Sequence, residues 1–207
     1  MDFPDAGTGV PVRSAPDAAP RLPGVSTPEE FARQPIPADT ADLSDGPPLN
    51  DACAPLRDLI GVWQGEGEVD YPTIDGPFRF GQQVTISHDG RPFLRHQARA
   101  WLLDAEGNVL RPAAWETGWW RPGAEGRLEL LLTHATGLLE IFYGSAGPGR
   151  WDLETETVLG TATAKDVRAA QRSYALRGDV LDYAESRAMV GEPMTPHVSA
   201  ALRRATR

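Results

Sequence analysis

The amino-acid sequence predicts an all-β protein, an antiparallel up-and-down β-barrel of about ten strands with one short helix before the first strand. Three observations lead there. From Gly61 onward, short runs alternate apolar and polar residues. Turn-forming clusters, such as Asp75-Gly-Pro, Asp89-Gly-Arg and Pro122-Gly, separate these runs at short and regular intervals. After residue 60 almost nothing has helical spacing. Sequential hairpins favour closure into a barrel, because closure leaves no exposed strand edge.

Residues 1–50 hold 10 of the 19 prolines, with 8 acidic and 3 basic residues. Their apolar residues, among them Phe3, Leu22 and Phe31, are isolated. Such a segment buries too little surface to offset its ordering entropy, so 1–50 is expected to be a disordered, acidic, proline-rich extension. Thr27 and Pro28 could nucleate one helical turn there, too short to be stable alone. The barrel domain is expected over 51–207. Residues 51–60 place Leu56, Leu59 and Ile60 on one helical face, a plug for one end of a barrel.

The first strand begins at Gly61. Trp63, Gly65, Gly67 and Val69 share the face expected to point inward. Two glycines on that face mark either a bend and close backbone approach or room for a ligand, and strand physics leaves both readings open. Strands are expected at 78–88, 93–103, 109–121, 127–134, 138–144 and 150–158. Residues 160–169 are irregular, a hairpin follows at 171–177 and 180–189, Pro193 and Pro196 interrupt the chain, and 198–206 offers a last strand.

The chain carries 20 basic and 29 acidic residues, a formal charge of −9. Such a surface repels nucleic acid and anionic membrane. One cysteine, Cys53, allows neither an internal disulfide nor a thiolate metal cluster. The first residues have no basic and apolar leader pattern, and no apolar run reaches the length of a membrane-spanning helix. A cytoplasmic setting is expected.

Candidate chemistry rests on four histidines and one glutamate. His134 shares a face with Leu128, Leu130 and Leu132, and His96 with Leu94 and Ala98, so both are expected to point inward. His88 opens a turn and is expected to be exposed. His197 precedes the last strand. No two have metal-site spacing, and a lone buried histidine usually serves as a hydrogen-bonded core residue. A single axial histidine to a haem iron would leave no spacing signature. Glu116 shares parity with Ala114 and Gly118, where a structural hydrogen bond is the expected role.

The motifs Gly61-Val-Trp63-Gln-Gly65-Glu-Gly67, Tyr71-Pro-Thr73-Ile74, Gly90-Arg-Pro92-Phe, Glu116-Thr-Gly118-Trp, His134-Ala-Thr-Gly137, Ala164-Lys165 and Gly191-Glu-Pro193-Met-Thr-Pro-His197-Val-Ser-Ala occur in that order. Together they resemble the nitrobindin family, haem-binding β-barrels related in shape to the fatty-acid-binding proteins. The resemblance runs from about residue 53 to the C-terminus. It implies one haem b per chain, with His197 as the iron ligand and Thr73 and His134 in contact with the cofactor. It also implies isomerisation of peroxynitrite to nitrate and binding of nitric oxide, with a homodimer as a possible assembly. A pocket histidine found in many members corresponds here to Ala114, which implies a roomier distal side. The alternatives are a nitric oxide sensor or carrier without significant catalysis, and a haem-free carrier of an apolar ligand such as a fatty acid.

Overall fold

The computed structural model describes residues 38–205. Ten antiparallel strands close into one barrel: β1 (Gly61–Val69), β2 (Phe78–Ser87), β3 (Leu94–Leu103), β4 (Val109–Pro122), β5 (Arg127–His134), β6 (Leu138–Gly147), β7 (Arg150–Gly160), β8 (Val167–Arg177), β9 (Val180–Met189) and β10 (Thr195–Arg204). Each strand pairs with its neighbours in sequence, and β1 pairs with β10 to complete the ring. The irregular residues 161–166 form the connection between β7 and β8. The last strand starts earlier than expected. Pro196 lies inside β10 opposite Ser186, and the register shifts between Pro196 and Val198, so His197 is the extra residue of a β-bulge.

The helix over Asp51–Leu59 is a 3₁₀ helix with Pro55 inside it. Asn50 caps it, its side chain accepting a hydrogen bond from the Ala52 N–H at 3.1 Å. Cys53, Leu56 and Leu59 are fully buried and close one end of the barrel. Two indole N–H groups hold the plug: Trp63 donates to the Leu59 carbonyl at 2.8 Å, and Trp151 donates to the Pro55 carbonyl at 3.0 Å. Burying these apolar side chains is worth roughly 1.5–3 kcal/mol apiece.

The choice left open at Gly65 and Gly67 is settled by sterics. A Cβ on Gly65 would stand 2.1 Å from the Ala201 carbonyl oxygen, and one on Gly67 would stand 2.2 Å from that of Ser199. Both glycines therefore serve close approach between β1 and β10.

Of the extension expected to be disordered, residues 1–37, including the Thr27-Pro28 turn, lie outside the described residues. Residues 38–50 lie against the barrel. Thr40 forms a two-way backbone bridge with His88, at 2.8 and 2.9 Å. Asp39 accepts from Arg95 at 3.3 Å and from the Ser87 hydroxyl. This strap corrects the expectation for His88, which is 2% exposed.

At the other end the barrel opens. Strands β7 and β8 pair only over Arg150–Glu154 and Gln171–Ala175. Beyond that, the Thr155 hydroxyl takes over the ladder, accepting from the Ala170 N–H at 2.8 Å and donating to its carbonyl at 3.2 Å. The two strands then diverge around a separate apolar cluster of Leu138, Val167 and Met189. No helix among the described residues is long and apolar enough to cross a membrane.

Candidate functional site

The open end leads into a cavity of about 670 Å³. That is within the size range of cofactor and small-molecule sites. Strands β1 to β3 give it an apolar wall of Val69, Phe78, Phe80, Ala98, Ala100 and Leu102. Arg111 and Lys165 also line it, and both are exposed.

His197 lines this cavity from the β10 bulge. A regular strand would alternate its direction with Pro196 and Val198, and the inserted residue re-aims the side chain. Its carbonyl accepts from the Asp70 N–H at 3.2 Å, and its ring stacks on Tyr71 with centroids 4.1 Å apart and planes at 25°. Burial pushes the imidazole pKa down to about 4; Glu185 pulls it up, whereas Arg187 and Lys165 lower it further. The ring is thus neutral at neutral pH, the form that can donate a lone pair to a metal.

His134 lines the same cavity from β5. In the cyclic strand order, β5 lies five strands from β10 in either direction, so the two histidines face the cavity from opposite sides. Thr73 is exposed in the turn after β1 and is not among the lining residues. Ala114 lines the cavity, so the position resembling a pocket histidine contributes only a methyl group.

A buried set of charges supports the His134 side. Arg172 grips Glu116 with two hydrogen bonds of 2.8 Å and meets Glu185 at 2.8 Å. Arg187 donates to Glu140 at 2.7 and 3.2 Å and also to Glu185. Tyr183 donates its hydroxyl to Glu185. His134 pairs Nε2 with Glu140 at 2.7 Å, and its Nδ1 faces Glu116 at 3.5 Å. Trp120 donates its indole N–H to His96 Nδ1 at 3.2 Å, which leaves His96 Nε2 to donate to Glu116 at 3.0 Å. Glu116 therefore does more than make one structural hydrogen bond: it joins both inward histidines to Arg172.

Burial resists ionisation of these carboxylates, but their partners outweigh it. The Arg172 guanidinium and His96 hold Glu116 well below the usual range. Burial likewise opposes ionised Glu140, yet the His134 hydrogen bond and the Arg187 and Arg172 charges bring it from 4.5 to about 2. A carboxyl whose pKa is lower in the folded chain stabilises the fold above the unfolded pKa and loses that contribution as pH falls. For Glu140 the loss spans pH 4.5 to about 2 and amounts to about 3 kcal/mol. Urea midpoints measured at pH 7, 5 and 3 should fall across the acid interval, and Glu140→Gln should flatten that fall.

Sequence reasoning missed Glu140, Arg172, Glu185 and Arg187, although strand parity carries a signal for each. Glu140 lies between inward Leu138 and Phe142, and Arg172 between inward Ala170 and Tyr174. Glu185 and Arg187 continue the inward row of Leu181, Tyr183 and Met189. A charged residue in an apolar register needs a partner in the interior.

The donor set fits a haem better than a multi-ligand metal site. No group of three or more His, Cys, Asp or Glu among the described residues is arranged to hold a metal ion. What is present is the neutral His197 imidazole, an apolar wall for a flat macrocycle and two cations suited to carboxylate edges.

Comparison with known proteins points the same way. The family model described as "THAP4-like, heme-binding beta-barrel domain" matches residues 52–204. The chain is 51% identical over 152 residues to a protein named peroxynitrite isomerase from Streptomyces griseus, covering 73% of this chain and 82% of that one. It is 41% identical over 206 residues to a ferric nitrobindin-like protein from Saccharopolyspora erythraea, covering 98% and 97% of the two chains. Among solved structures, that of Rv2717c from M. tuberculosis superposes with a TM-score of 0.69 at 34% identity, covering 76% of this chain and 99% of the other.

Proposed function

The chain belongs to the THAP4-like haem-binding β-barrel family, and on that premise we propose that it isomerises peroxynitrite to nitrate at one ferric haem b held through His197. The observation that carries this reading is the neutral imidazole of His197, delivered by the β10 bulge into the cavity opposite His134. When bound, the haem supplies an open iron position for a small anionic nitrogen oxide, and nitric oxide can use the same position.

The remaining work falls to the chain. His197 offers an uncharged nitrogen, so no proton must leave before ligation. The β1–β3 wall would shelter an apolar macrocycle from water. Arg111 and Lys165 suit its two carboxylates. His134, fixed by Glu140, presents a polar group on the far side, and Ala114 leaves room beside it. Thr73 is two residues from the lining residue Tyr71, so a contact with the cofactor requires the turn to fold inward.

The charge set argues against a fatty-acid carrier. The guanidinium groups of Arg172 and Arg187 are already matched to Glu116, Glu140 and Glu185, so a lipid carboxylate would meet carboxylates in the floor. Titration with haem should give a Soret band that saturates at one equivalent per chain. Native mass spectrometry showing bound lipid and no haem uptake would reverse the reading.

A second copy of the chain is our proposed occupant for the outer face of β4–β6, where Trp119, Leu131 and Ile141 adjoin on neighbouring strands and Trp119 is 45% exposed. A monomeric sedimentation mass would remove that part. The setting we propose is cytoplasmic, and recovery from another fraction would overturn it.

A further inference from the structure

We propose that Tyr71 is a positioning residue for the iron ligand, clamping the His197 ring through a stack backed by Lys165. The inference rests on the haem reading above and adds a residue that acts through His197 without touching the iron.

The need for such a clamp comes from the bulge. His197 has no Cα partner in the β9 register, which passes from Pro196–Ser186 to Val198–Glu185. A bulged residue gains a new direction but loses the ladder that would hold it. The backbone bond from Asp70 fixes the carbonyl of His197 and leaves its side-chain torsions open. The Tyr71 ring supplies the missing constraint, lying 4.1 Å from the imidazole at 25°. Tyr71 in turn sits under the Lys165 ammonium, with Nζ 5.9 Å from its ring centroid, at the outer reach of a cation–π contact. These contacts tie the β7–β8 connection, the turn after β1 and the β10 bulge together. The stack confines the imidazole plane through ring contact alone. An outer partner that orients a ligating histidine typically governs metal affinity by 10–100-fold.

The test compares wild type, Tyr71→Phe, Tyr71→Leu and His197→Ala in the full chain. In the apo protein, the His197 ring protons should show an upfield ring-current shift in wild type and Tyr71→Phe that is lost in Tyr71→Leu. In the ferric haem-loaded protein, Tyr71→Leu should release haem to an apomyoglobin scavenger roughly 10-fold faster and broaden the electron paramagnetic resonance signal. Tyr71→Phe should stay within about twofold of wild type, because it keeps the ring. A Tyr71→Leu protein with unchanged proton shifts, release rate and spectrum would overturn the clamp while leaving His197 as ligand. Undiminished haem affinity in His197→Ala would overturn the haem reading and the clamp together.

Discussion

His197→Ala is expected to abolish the Soret band of the reconstituted protein at haem concentrations that saturate wild type, an affinity loss on the order of 100-fold or more. Neither His134 nor His96 is free to take over the role. His134 is engaged by Glu140 at 2.7 Å and faces Glu116, and His96 is fully buried between Trp120 and Glu116. The substitution should leave the fold intact, because the His197 side chain is only partly buried and the β10 ladder continues on both sides of the bulge. Urea midpoints of the apo forms should therefore agree closely, which separates loss of the ligand from unfolding. Added imidazole should restore part of the spectrum by entering the space left by the ring.

Arg172→Met should have the largest effect on stability, about 3–5 kcal/mol. Its guanidinium is the shared counter-charge for Glu116 and Glu185 and lies 3.9 Å from Glu140. Methionine matches part of the volume but strands buried carboxylates, and an uncompensated buried charge costs far more than the pair contributes. With a total stability of about 5–15 kcal/mol for a domain, such a loss consumes a large share. The urea midpoint should drop at unchanged slope at pH 7. Adding Glu116→Gln should return part of the loss, since the two changes share one contact and do not add independently.

The strand parities that predict the barrel also predict most of its interior. Trp63, Leu128, Leu130 and Leu132 fall where alternation puts them, and the helix expected to plug the barrel does so. Each departure has an identifiable cause. His88 reads as exposed because nothing in its own turn covers it; the cover comes from Thr40, 48 positions earlier in a segment too polar to look structured. Pro196 reads as a strand breaker, yet the bulge absorbs it. His197 itself has no pattern, since a bulge breaks the parity by which a side chain's direction is read. The charged floor was legible residue by residue, but which carboxylate meets which guanidinium depends on pairings across β4, β6, β8 and β9, beyond the reach of local spacing.

The most direct measurement of the central claim is the nitrate yield when haem-loaded ferric protein is mixed with excess peroxynitrite in a stopped-flow instrument. Many equivalents of peroxynitrite should be converted to nitrate per haem, at a rate proportional to bound haem, with return to the uncatalysed rate in His197→Ala. Consumption of a single equivalent per haem without turnover would contradict it and leave a nitric oxide carrier in its place.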